Sequence, residues 1–341
     1  MTSADEADSY ERPLALSDNE KAMIELAKEH STKVVVLLNT NNPVEIDDLK
    51  NDEGIGAIVW AGEPGANGFL GVADVLSGEV NPSGHIADTY AVNSTSAPAM
   101  VNYGVYLYTN NSQAGSDAVL TEENKADWYL VESEGIYTGY KYYETRYEDE
   151  ILGQGNADTT EGSSDGAAWD YANEVSYPFG YGLSYTTFEY ENLQVKPDGV
   201  TFTIRNTGKY DGAEIAQLYV GLPGAKVFRP VKELKGFTKV FLKTGEEKTV
   251  TIKFDDKTFR YWNMKTNKWE VEGGVYSIMI GASCADIRLQ DSLAIIGTTE
   301  VMPYYTNRVS SYVEGKIQQI GNEEYETILG HSIPDGSWSG E

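Results

Sequence analysis

The sequence predicts an α/β layer followed by an antiparallel β-sandwich, and three observations carry that prediction. In the first ninety residues, short apolar runs alternate with segments of helical periodicity. From about Glu189 the apolar period becomes two. Turn signals then recur at short intervals: Asn206-Thr207-Gly208, Thr244-Gly245-Glu246 and Gly273-Gly274.

The α/β layer opens with Ser17-Asp18-Asn19-Glu20, a capping-box pattern in which Ser17 is the N-cap and Glu20 reaches back to it. Met23, Leu26, Ala27 and His30 follow at helical spacing. Val34 to Leu38 is a continuous apolar run, as expected of a parallel strand buried on both faces. A second run, Ile55 to Trp60, follows, and Phe69, Val72, Ala73 and Leu76 give an amphipathic helix ending near Gly78. Residues 91–176 are rich in Tyr, Asn, Ser, Gly and acids, and read as a long insert whose part from Gly153 to Asp170 is loop. In the sandwich, Val200, Phe202 and Ile204 alternate with polar residues. So do Ala216, Leu218 and Val220, then Val250, Ile252 and Phe254, then Tyr276, Ile278 and Ile280. The expected organisation is a partial, mainly parallel α/β domain over 1–188, a sandwich over 189–297, and a tail over 298–341 with a helix from Val309 to Ile320.

Composition narrows the function classes. The 341 residues are 40% hydrophobic and carry a formal net charge of −27, a field that repels phosphate backbones and anionic lipid surfaces. Nucleic acid is therefore excluded as a partner, whereas neutral sugars are compatible. No apolar run approaches the roughly 18 residues of a membrane span. The single cysteine, Cys284, forms no internal disulfide, and His30, His85 and His331 show no metal spacing. Neither a dinucleotide fingerprint nor a nucleophile elbow is present, so no cofactor is expected. The acids of the 153–170 loop are read as solvated surface. Asn93 and Asn110 head glycosylation sequons.

Three clusters resemble glycoside hydrolase family 3. Val59-Trp60-Ala61-Gly62-Glu63-Pro64-Gly65, the helix to Leu76, and Gly78-Glu79-Val80-Asn81-Pro82-Ser83-Gly84 resemble the signature of its α/β sandwich; Asn81 and Pro82 set a turn and Gly84 is expected at positive φ. Glu134 to Tyr143 and Tyr177 to Phe188 resemble the link between its last two domains. Arg229-Pro230-Val231-Lys232-Glu233-Leu234-Lys235-Gly236-Phe237, Leu242 to Glu246 and Trp269 to Gly274 resemble its fibronectin type III-like domain. The resemblance covers roughly residues 12–295.

This resemblance implies the C-terminal half of a retaining, exo-acting β-glycosidase of β-glucosidase or β-xylosidase type. Its catalytic nucleophile, an aspartate, belongs to a TIM-type barrel that this chain does not contain, so the implied partners are that barrel and an oligosaccharide or β-glycoside. Many members carry the general acid/base glutamate in a Ser-Gly-Glu-Gly-x-Asp-Arg pattern just before the first helix. Here the stretch is Ser3-Ala4-Asp5-Glu6-Ala7-Asp8-Ser9-Tyr10-Glu11-Arg12, two residues longer and without the flanking glycines. Glu6 is the candidate acid/base, with Glu11 as its rival and Asp5 and Asp8 as further alternatives; four solvated acids are the competing reading. Tyr106, Trp128 and Trp169, with Tyr103, Tyr108 and Tyr129, are candidate sugar platforms, against the reading that these rings pack onto the sandwich. A non-catalytic carbohydrate-binding or scaffolding module, or an accessory chain of a barrel-bearing partner, is the alternative function. A secreted or cell-surface location is slightly favoured over a cytoplasmic one.

Overall fold

The computed structural model describes residues 14–101, 106–108, 128–129, 132, 134–152, 160, 162–304, 308–313, 320–332 and 336–338. Among them no helix is long and apolar enough to cross a membrane.

Helix α1 (Asp18–His30) begins at the expected capping box, with Ser17 accepting from the Glu20 amide and the Glu20 carboxylate accepting from the Ser17 amide. It leads into β1 (Val34–Leu38), which pairs in parallel with β2 (Ile55–Trp60); these two strands form a sheet of their own. Helix α2 (Gly65–Ser77) ends at Gly78, whose φ of 83° closes the C-terminus without a Cβ penalty. Gly84, in contrast, is not among the positive-φ glycines, so its place in the motif is not set by a left-handed backbone.

Only one face of this layer is sealed. Val34, Val36 and Leu38 are buried against Ile24, Val44, Ile46, Leu49 and Tyr90. Val35 is 47% exposed, so β1 alternates and is not covered on both faces as its apolar run suggested. The apolar face of α1 differs too: Ile24 is buried, while Met23 and Leu26 are exposed. No residue of α2 is buried, and Phe69, Leu70 and Leu76 stand in solvent. An apolar face this open is of the kind that marks an interaction surface.

The sandwich is closed. One sheet has the order β7 (Glu247–Lys253), β4 (Gly199–Asn206), β3 (Phe188–Lys196). The other runs β6 (Glu233–Leu242), β5 (Gly212–Gly221), β10 (Gly274–Gly281), β11 (Ile287–Ile295). A short hairpin, β8 (Arg260–Asn263) with β9 (Lys268–Val271), stands beside them. The alternating residues point inward as expected: Val200, Phe202, Ile204, Leu218, Tyr276, Ile278 and Ile280 form one core. Phe254 is only partly buried at its margin.

Between the domains lies an element that composition hid. Helix α3 (Tyr140–Leu152) falls inside the 91–176 insert, ahead of the part that reads as loop, where tyrosines and acids mask its period. Its Glu144 pairs with Lys232 at 2.9 Å, with side chains 1% and 5% exposed. The Tyr140 ring stacks on Phe179 at 4.3 Å, and its hydroxyl accepts from the Leu234 amide. The tail is partly interior as well. Tyr304, Val309 and Tyr312 are buried with Tyr137 and Val227, and Phe228 stacks on Tyr304 and Tyr137 and lies tilted against Tyr312. Of the helix expected from Val309 to Ile320, Ser310–Val313 is helical and residues 314–319 lie outside the described residues; a further helix, α4, spans Asn322–Leu329.

Two stability tests follow from this packing. Phe202→Ala should cost about 3–5 kcal/mol, whereas the half-buried Phe254→Ala should cost roughly 1–2 kcal/mol, read from urea unfolding; equal losses would contradict the core assignment. Lys232→Ala strands a buried carboxylate and should cost about 3–5 kcal/mol, and Lys232→Met with Glu144→Leu should restore most of it. A double variant no more stable than the single would mean the pair is not the source of the loss.

Candidate functional site

The candidate acids Asp5, Glu6, Asp8 and Glu11 lie outside the described residues. Their segment enters the described fold at a defined place. Ala15 forms a parallel bridge with Glu45, and the Leu14 carbonyl accepts from the Glu45 amide at 2.9 Å. Glu45 follows the carboxyl end of β1, and its carboxylate is held by the amide and hydroxyl of Ser94. Ligand sites in open α/β sheets lie outside the carboxyl ends of the strands. At that end Trp60 donates its indole N–H to the Thr40 carbonyl at 2.7 Å, and Gly62 (φ 62°) turns the chain away. Eight residues from Leu14, Glu6 can reach at most about 29 Å from this entry.

Among the candidate sugar platforms, Tyr103 lies outside the described residues, and Trp169 is the one whose side-chain surroundings are described. Tyr106 and Trp128 lie on neighbouring short strands, but register pairs Tyr106 with Tyr129 and Trp338, and Leu107 with Trp128. Trp169 is 2% exposed, beneath the Arg146 guanidinium at 4.9 Å and edge-on to Tyr171. Burial there follows from the aromatic cluster around α3, and the ring offers no open face in this chain. Among the described residues no group of three or more His, Cys, Asp or Glu could hold a metal ion. A groove of about 480 Å³ lies on the sandwich near Leu222, Lys226 and Gly274. The Glu272 carboxylate in its wall is already engaged by the Lys226 amide and by Arg229.

The motif residues instead build the seam between the domains. The Asn81 side chain accepts from the Ser184 hydroxyl at 2.9 Å and the Tyr185 amide at 2.8 Å, and donates to the Asp211 carbonyl. The Tyr185 hydroxyl donates to the Val75 carbonyl near the end of α2. Gly182 has no room for a Cβ, which would lie 2.3 Å from the Gly84 carbonyl oxygen and 2.9 Å from the His85 ring. Gln217 donates to the Gly180 and Ala282 carbonyls. Two side-chain amides, Asn81 and Gln217, and the close approach at Gly182 thus bind the α/β turn, the linker and β5 into one unit.

Sequence comparison agrees with this architecture. The pattern of the glycosyl hydrolase family 3 C-terminal domain matches residues 1–185, and that of the fibronectin type III-like domain matches residues 214–284. The chain belongs to glycoside hydrolase family 3. It is 34% identical over 318 residues to the thermostable beta-glucosidase B of Acetivibrio thermocellus, covering 91% of this chain and 36% of that protein. It is also 34% identical to an exo-alpha-(1->6)-L-arabinopyranosidase of Bifidobacterium longum, covering 89% of this chain and 35% of that protein. The solved family 3 beta-glucosidase of Bifidobacterium adolescentis superposes with a TM-score of 0.66 at 28% identity, over 90% of this chain and 40% of the other. The chain therefore spans about a third of the length of the curated relatives it matches.

Within this family 3 chain the seam also holds a buried titratable pair. His85 Nε2 lies 3.5 Å from Glu214 Oε1, and both side chains are nearly shielded from water. Burial raises the Glu214 carboxyl to about 7, against the lowering effect of the Ile215 amide and Arg288. Burial lowers His85, against the Ser83 backbone. The Glu214 contribution to stability is full below its unfolded pKa near 4.5 and is lost as pH rises through about 7. Between pH 5 and pH 8 the melting temperature of the parent chain should fall relative to that of Glu214→Gln. Parallel profiles would show that Glu214 is not buried as a neutral acid.

Proposed function

We propose that this chain is the C-terminal part of a retaining, exo-acting β-glycosidase of β-glucosidase or β-xylosidase type, inactive without a TIM-type barrel that supplies the nucleophile. The observation that carries this reading is the open apolar face of the α/β layer (Val35, Phe69, Leu70, Leu76) in a chain that aligns over nine-tenths of its length with about a third of a beta-glucosidase. A soluble chain keeps such a face when a further part of the assembly covers it. Retaining hydrolysis needs two carboxylates about 5–5.5 Å apart. In this reading the barrel gives the nucleophile and Glu6 gives the acid/base. The arabinopyranosidase relative shows by its name that sugar and linkage vary within the family, so sugar preference belongs to the missing part. The accessory-chain reading differs only in whether that part lies on the same polypeptide.

The acid/base role fixes a pattern of kinetics. An acid working near neutral pH needs burial, which a segment in water does not supply, so the chain alone should hydrolyse no aryl glucoside or xyloside. In the barrel-containing assembly, Glu6→Gln should cut turnover of substrates with poor leaving groups by about 10²–10⁴-fold. Activated aryl glycosides should be hurt much less in the glycosylation step, and azide should partly restore turnover. Asp5→Asn and Asp8→Asn should be mild. The same signature appearing in Glu11→Gln, with Glu6→Gln silent, would transfer the role to Glu11; silence in both would overturn the assignment.

A further inference from the structure

Glu45 joins two parts of the α/β domain that are distant in sequence. Its amide donates to the Leu14 carbonyl at 2.9 Å, within the parallel bridge between Ala15 and Glu45. Its carboxylate reaches a second element, where Oε1 accepts from both the amide and the hydroxyl of Ser94, each at 2.8 Å. Ser94 opens a short 3₁₀ turn, Ser94–Ser96, whose N-cap Asn93 accepts from the Thr95 amide at 3.0 Å. The chain ahead of that turn is itself fixed. Tyr90–Ala91 pairs antiparallel with Val175–Tyr177, and the Val92 amide donates to the Glu174 carbonyl. Two residues past Glu45, Asp47 accepts from the Ser176 hydroxyl at 2.9 Å. The backbone at 45–47 therefore hangs at two points from the Tyr90–Ala91 and Val175–Tyr177 pair and its flanking turn.

This frame matters because of what it holds. Leu14 is where the chain carrying the candidate acids joins the α/β layer, ahead of α1. A general acid must lie within hydrogen-bond reach of the oxygen it protonates, and a misplacement of about 1 Å costs on the order of 10²-fold in rate. Groups that touch no substrate therefore act on the rate when they fix the backbone that delivers the acid. Both bonds from Ser94 end on one oxygen of Glu45. A glutamine could place its carbonyl oxygen there and keep both, whereas alanine removes both.

We propose that Glu45 is a positioning residue for glycoside cleavage: by clamping Leu14 to the Ser94 turn, it fixes where the acid-bearing segment leaves the α/β layer. This rests on the reading above, in which an acid of that segment, Glu6 or its rival Glu11, protonates the leaving oxygen; the clamp itself does not.

Two measurements on Glu45→Ala, Glu45→Gln and Ser94→Ala test this. In the full chain, hydrogen exchange of the amide at position 45 should quicken by about tenfold in Glu45→Ala and stay near the parent in Glu45→Gln. Ser94→Ala keeps one of the two bonds and should fall between them; it carries both measurements if Glu45→Ala fails to fold. In the barrel-containing assembly, Glu45→Ala should lower kcat for poor leaving groups about tenfold more than for activated aryl glycosides, with KM little changed. Glu45→Gln should restore the parent ratio. A merely structural loss lowers the active fraction, and so both substrates equally. Unchanged exchange in Glu45→Ala would overturn the clamp. Equal losses on both substrates, while Glu6→Gln or Glu11→Gln keeps its leaving-group signature, would overturn the positioning role and leave the acid/base reading standing. A Glu45→Gln loss as deep as that of Glu45→Ala, partly restored by azide, would make Glu45 the acid itself and overturn it as well. Silence of both Glu6→Gln and Glu11→Gln would instead remove the acid from this segment, and the positioning role with it, while the exchange rates still report the clamp.

Discussion

Lys232 and Glu144 sit 2.9 Å apart with almost no contact with water, and the joint between the two domains is organised around keeping them together. Taking two charges out of water costs several kcal/mol per ion, returned only when the partner is held at close range. The surrounding contacts supply that restraint. The Tyr171 hydroxyl donates to the other oxygen of Glu144, the Val231 amide donates to the Thr145 hydroxyl, and the Tyr140 hydroxyl takes the Leu234 amide. The run from Arg229 to Leu234 is therefore bound along α3 on one side and continues into β6 on the other. Sliding α3 by one turn would leave both charges buried and unpaired, so the pair fixes register as well as position.

The motif glycines and amides work on the second side of the same joint. Gly182 lets the linker approach the Gly84 carbonyl, and Gly180 lies so close to Gln217 that an added Cβ would overlap its side chain. Asn81 gathers the linker and the loop before β5. These residues identify the family through architecture. The chain enters at Leu14 beside Glu45, and that entry point is set by the same α/β layer.

The two domains differ in how complete they are. The sandwich closes its core with residues of its own, and even the tail contributes Tyr304, Val309 and Tyr312 to an adjoining cluster. Among the described residues the α/β layer has two parallel strands, one covered face and an outer helix without a buried residue. One domain thus seals its own core, while the other leaves an apolar face open to solvent.

The sequence by itself determined those features whose physics is local. The capping box at Ser17, the helix stop at Gly78 and the period-two core of Phe202, Ile204, Leu218 and Ile278 were legible because each depends on spacing along the chain. Family membership was legible from turn and linker motifs in a fixed order. Features that depend on distant partners were not. Helix α3 was hidden because its buried residues are tyrosines and ions satisfied from the Arg229–Leu234 run, which no local period reveals. The apolar run of β1 could not show that one face lacks a cover, nor could composition show that Trp169 is interior while Trp262 and Trp269 are exposed. Glu214 is one of many surface-type acids in sequence; only the seam, by removing its water, turns it into a group that holds its proton to about 7. Burial is a property of what the rest of the chain brings near, and it was the tertiary structure that decided it.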